Sequence, residues 1–172
     1  MIMALAIALS AGSVRAQDSR IAQVLELFTA TCAKFADRPS ELRSYLTQNY
    51  KRLPQSEEKE ILGNPPGQGW QSNNVIFASY DNGECAVMID TIAIDPMRAS
   101  FRKWVLDLGR ANLLTVQLMS DLVERGDYEA RYLSFIAAKP DAKRGVQYML
   151  TTIQEKDKTY VRLSTIIAAT TQ

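Results

Sequence analysis

The chain reads as an α+β domain, and three observations carry that reading. Apolar residues recur at helical period from position 18 to about 50. Asn82-Gly83 stands between two short β-rich runs. A helix with a clear start signal follows, and then four further runs suited to strands, separated by turn clusters.

The first helix is expected over 18–35. Asp18 or Ser19 can cap it, and Ile21, Val24, Leu25, Phe28, Cys32 and Phe35 form one stripe at helical spacing. Asp37-Arg38-Pro39-Ser40 interrupts it, and Pro39 suits the opening of a second helix carrying Leu42, Tyr45 and Leu46 and ending near Tyr50. Lys51 and Arg52 would complement the negative end of its dipole. Over 53–73 the pattern is irregular. Ser56 to Glu60 suits one helical turn, and Gly63 to Gly69 reads as a surface loop ending at Trp70.

Strands are expected over 74–80 and 84–89, joined at Asn82-Gly83, where both residues tolerate positive φ. Cys85, Val87 and Ile89 alternate onto one face, which points Cys85 toward the first helix if that face is the core. Asp95-Pro96 opens a third helix with Met97, Phe101, Trp104, Val105 and Leu108 on one stripe, and Gly109 is its expected stop. An antiparallel meander is expected over 113–122, 128–138, 146–153 and 159–168, with a bulge in the second run where the polar face changes side. From the hairpin onward the order is β-β-α-β-β-β-β. It resembles profilin-like and PAS-like sheets, a likeness of fold that carries no function.

Residues 1–16 have the layout of a secretory signal peptide. An apolar run from Ile2 to Leu9 precedes Ala11-Gly12-Ser13, and Val14-Arg15-Ala16 offers small residues at −3 and −1 of a cleavage site before Gln17. The start of this segment has no Lys or Arg. Its removal leaves 156 residues, 17–172, enough for a single α+β domain. Arg15 is its only charge, so the remainder carries 19 residues of each sign and is formally neutral. A neutral chain without a basic block has no electrostatic case for nucleic acid. No later stretch reaches eighteen apolar residues, so no membrane insertion is expected after cleavage. The expected location is the periplasm or the outside of the cell.

Histidine is absent, which removes the commonest general base and zinc ligand and excludes Ser-His-Asp and Cys-His arrangements. With two cysteines and no histidine, structural zinc and iron–sulfur sites are excluded within one chain, and no metal or cofactor is expected. In an oxidising compartment Cys32 and Cys85 are expected to pair, closing a loop of 54 residues worth about 4 kcal/mol in the chain-entropy account. Arg125-Gly126-Asp127 spells an integrin-type tripeptide, but its place between two strand runs is explained by a hairpin turn. Asp81 to Glu84 lacks the ligand series of a calcium loop. Glu57, Glu58 and Glu60 suit a solvated helix start, Asp95 a cap, and no carboxylate pair stands out for acid–base chemistry. No catalytic residue is therefore assigned. Trp70 either plugs one end of the core or, beside Pro65 and Pro66, anchors a protein partner.

Phe28-Thr29-Ala30-Thr31-Cys32, the Gly-rich segment ending at Trp70, and Asn82-Gly83-Glu84-Cys85-Ala86-Val87 together resemble a family of small exported proteobacterial proteins of unknown function, first named from a Neisseria member. The resemblance spans roughly 25–90. It implies a periplasmic location and pairing of the two cysteines, and it brings no activity.

The expected function is that of an exported, non-enzymatic interaction protein: an inhibitor or immunity protein, or an accessory part of an envelope assembly. One alternative is a carboxylate-dependent hydrolase of cell-wall glycan, which needs two carboxylates about 5–10 Å apart, one with a raised pKa. Another is a binder of a small apolar ligand, which needs an apolar cavity. An exposed apolar patch would favour a protein partner.

Overall fold

The computed structural model describes residues 19–63, 66–90, 92–156 and 158–170. The proposed signal segment, and with it the cleavage site, lies outside the described residues. Helix α1 runs over 19–28 and continues into a π-helical stretch, Thr29–Ala33. The other helices are α2 (Pro39–Asn49), α3 (Gln55–Leu62) and α4 (Ile94–Ala111). Eight strands form one open antiparallel sheet: β1 (Lys51–Arg52), β2 (Gly67–Ser72), β3 (Val75–Tyr80), β4 (Cys85–Asp90), β5 (Thr115–Arg125), β6 (Glu129–Ala138), β7 (Arg144–Glu155) and β8 (Lys158–Ala169). Their order across the sheet is β1-β2-β3-β4-β8-β7-β6-β5. From β3 onward the element order is the β-β-α-β-β-β-β predicted from the sequence, and two strands precede it.

Helices α1, α2 and α4 pack on one face of the sheet. The cross-strand row Trp70, Phe77, Val87, Leu163, Leu150 and Leu133 runs along that face, and every member is buried. Aromatic rings join the layers: Phe28 meets Trp104 at 5.3 Å, Trp104 meets Tyr148 at 5.3 Å, and Tyr50 stacks on Phe77 at 4.3 Å. Such ring pairs add about 0.5–1.5 kcal/mol each beyond their buried area.

The Cys32–Cys85 disulfide ties α1 to the first residue of β4, with Cα atoms 5.3 Å apart. Local chemistry explains the π stretch that carries Cys32. The Thr29 and Thr31 hydroxyls donate to the Leu25 and Leu27 carbonyls, each at 2.6 Å, and compete with the ordinary helical ladder. The Lys34 N–H then reaches back five residues to the Thr29 carbonyl at 3.1 Å. Trp104 Nε1 donates to Thr29 Oγ1 at 2.9 Å, which fixes α4 against this segment.

Several expectations need correction. Lys51 and Arg52, just past the end of α2, form an unexpected edge strand against Gln71 and Trp70. Gly67 to Ser72 is a strand and not a loop, because both its glycines meet close neighbours. A Cβ at Gly67 would lie 2.9 Å from the Ser79 carbonyl oxygen, and one at Gly69 would lie 2.5 Å from the Leu53 side chain. The β3–β4 connection is a three-residue loop with only Gly83 at positive φ, 87°, so Asn82 does not take the left-handed conformation expected of it. Asn82 instead accepts the Glu84 N–H through Oδ1 at 2.9 Å. Helix α4 passes Gly109 and ends at Ala111. Gly109 is a packing position, where a Cβ would lie 2.3 Å from Val116 Cγ2. The irregularity expected in β6 falls on its partner β5, between Leu118 and Ser120.

Candidate interaction surface

Strand β5 is one edge of the sheet. It pairs with β6 on one side, and its other side meets no strand among the described residues. The topology dictates this position. Strand β8 takes the free edge of β4, so the first strand after α4 is pushed to the outside of the meander.

The side chains of β5 are unusual for an exposed edge. Leu118 is 49% exposed, Met119 39%, Leu122 57% and Val123 47%. Val116, Leu118, Asp121 and Val123 face the helix side, opposite Ala137, Phe135, Leu133 and Arg131. Gln117, Ser120 and Leu122 face the open side, opposite Ile136, Ser134 and Tyr132. Both faces of the strand thus carry exposed apolar groups. Leu113 and Tyr128 extend the apolar surface beyond its ends.

The charges on β5 are occupied within the chain. Asp121 accepts hydrogen bonds from Arg98 and, at 2.8 Å, from Arg102, both on α4. Glu124 lies against the Tyr132 hydroxyl, and burial together with this carboxylate raises the pKa of that phenol. Arg125 bonds Glu129 at 3.2 Å. Edge strands are ordinarily protected by lysine, proline, short length or a bulge. This one is eleven residues long and has no lysine or proline; its single irregularity is at Met119. The Arg125-Gly126-Asp127 tripeptide is part of the tight β5–β6 connection, where the Gly126 N–H bonds the Tyr128 carbonyl at 3.1 Å.

A second feature lies on the sheet face away from α1, α2 and α4. Among the described residues the helix that packs there is α3, with Leu62 against Ala78, Tyr80 and Ala86. Beside it is an open pocket of about 370 Å³, lined chiefly by Ile61, Ile76, Met88, Ile153 and Tyr160. Arg162 also lines it, donating to Glu84 at 2.7 Å and sitting 5.0 Å over the Tyr80 ring.

Trp70 is not a surface anchor. It is 0% exposed and belongs to the main core, with Arg52 lying 5.2 Å over its ring. Pro66 is exposed, and its carbonyl accepts the Asp81 N–H at 3.0 Å; Pro65 lies outside the described residues. The contact surface expected at Trp70, Pro65 and Pro66 therefore lacks its aromatic member. Sequence reasoning passed over β5 because a strand with apolar residues on both faces has the pattern of a buried strand.

Among the carboxylates, burial draws Glu58 upward, but Arg52 and the Gly69 N–H outweigh it and hold its carboxyl below the usual range. Hydrogen bonds from Arg131 and Arg125 hold Glu129 low, and Lys103 does the same for Asp107. Among the described residues no three or more Asp, Glu or Cys side chains are grouped so as to hold a metal ion, and no helix is long and apolar enough to cross a membrane. In comparison with known proteins, no family model matches this chain and no curated protein matches its sequence.

Proposed function

We propose that this chain is an exported, non-enzymatic interaction protein of the bacterial envelope, an inhibitor, immunity protein or accessory component, and that it makes its contact by adding a strand to the β5 edge. The exposed apolar edge carries the reading. Its open row of backbone N–H and C=O groups supplies affinity in strand addition, and the alternating side chains supply specificity. The disulfide between Cys32 and Cys85 is compatible with an oxidising extracytoplasmic location. Glu58, Asp107 and Glu129 are held low, whereas a glycan hydrolase needs an acid held high.

The test is crosslinking capture of the tagged chain in the envelope, read as the yield of any protein joined to it, a second copy included. Leu122→Lys is expected to lower that yield at least tenfold, equivalent to about 1.4 kcal/mol, with the disulfide and circular dichroism unchanged. An undiminished yield from the folded variant contradicts the proposal.

The pocket beside α3 favours a second reading, a binder of a small apolar ligand. Recovery of one small apolar molecule with the purified chain would favour it.

A further inference from the structure

We infer that Met119 is an oxidation switch on the β5 edge: peroxide converts it to the sulfoxide before any other methionine among the described residues, and the sulfoxide weakens the contact that β5 makes. The inference rests on the reading of β5 as a contact edge and names a regulation of it.

Exposure selects the residue. The described methionines are Met88, Met97, Met119 and Met149. Met97 lies in the main core and is 0% exposed, and Met88 and Met149 are half-buried. Met119 is 39% exposed. A thioether reacts only where the oxidant can meet its sulfur, so the rate follows access. Thiols do not compete, because Cys32 and Cys85 are joined and no cysteine is free.

The step is an oxygen transfer. A lone pair on Met119 Sδ attacks one oxygen of hydrogen peroxide, and an S–O bond forms as the O–O bond breaks. Sulfur is oxidised by two electrons and the peroxide is reduced. Its other oxygen leaves as hydroxide, takes the proton of the transferred oxygen and becomes water. The apolar thioether is now a polar, chiral sulfoxide, which methionine sulfoxide reductases can return to the thioether.

Two features of β5 confine the effect to the edge. The pairing register passes from Leu118 opposite Phe135 to Ser120 opposite Ser134, so Met119 has no opposite residue in β6. An oxygen added there breaks no cross-strand pair of side chains. Its strand neighbours Leu118, Leu122 and Val123 are the exposed apolar groups that a covering strand would bury. A sulfoxide among them must give up its water when the contact forms, which costs free energy unless a donor replaces that water. Linkage acts in both directions, so whatever covers Met119 also shields it from peroxide.

The experiment treats the full chain, disulfide intact, with limiting hydrogen peroxide and maps the added oxygen by peptide mass spectrometry. Oxygen is expected on Met119 ahead of Met88, Met97 and Met149, with circular dichroism unchanged. In the crosslinking capture, the oxidised chain is expected to give a yield lower by about fivefold, restored by methionine sulfoxide reductases. In Met119→Leu the same treatment should leave the yield at that variant's own untreated level. Oxidation that appears first at another methionine overturns the inference. So does a yield that peroxide leaves unchanged, or one that falls equally in Met119→Leu. If Leu122→Lys lowers capture and oxidation does not, this inference alone fails; if neither lowers it, the proposed function fails as well.

Discussion

The Glu58 carboxylate holds three elements together. It accepts from Arg52 Nε at 2.6 Å and from the Gly69 N–H at 2.8 Å, linking α3 to β1 and β2. Burial alone would raise its pKa, but these donors lower it below the value of an unfolded chain. Its stabilising contribution is therefore present above the unfolded pKa, about 4.3, and is lost as pH falls through the folded one. Glu58→Gln is expected to cost about 1 kcal/mol at pH 7, and the gap from wild type should shrink steadily below about pH 4. Urea unfolding at neutral and acid pH checks this, and a gap unchanged at pH 3 would contradict it. Single residues also mark how far the sequence could be read. Cys32 and Cys85 were legible because both fall on stripes that face the core. Trp70 was left open because burial of a tryptophan beside a Gly/Pro segment depends on what packs over it. Here that segment is a strand, which the glycines concealed.

At the scale of elements, α4 has the clearest fault. Its stop is a Schellman turn: the Leu114 N–H bonds the Gly109 carbonyl at 2.8 Å, and Leu113 takes φ of 54°. Leucine pays for that conformation, and its side chain is exposed, so it gains little in return. Leu113→Gly is expected to raise stability by about 1 kcal/mol, measured by thermal or denaturant unfolding. A loss of stability would show that Leu113 makes contacts beyond its own turn. The stripe of Met97, Phe101 and Val105 was legible because periodicity is local, but the start was not: α4 begins at Ile94, after Ala93 and without a side-chain cap, and the Asp95 carboxylate pairs with Arg131 instead of capping. The end was misplaced because Gly109 answers to packing against Val116, beyond the helix, and not to a stop signal. Strand β2 escaped notice for a similar reason: its glycines answer to Ser79 and Leu53, which are distant in sequence.

For the whole molecule, six of the eight strands were legible but strand order was not. Alternation identified the meander; no local signal states that β8 pairs with β4 and leaves β5 outside. That one topological choice creates the exposed edge on which the functional account depends. The most direct test is amide hydrogen exchange on the associated form of the chain, compared with the free chain. The account predicts that slowed exchange concentrates in 115–125, at amides directed away from β6, where an added strand would supply hydrogen-bond acceptors. Unchanged exchange across β5, with protection instead around Ile76, Met88 and Ile153 on the open face, would contradict it.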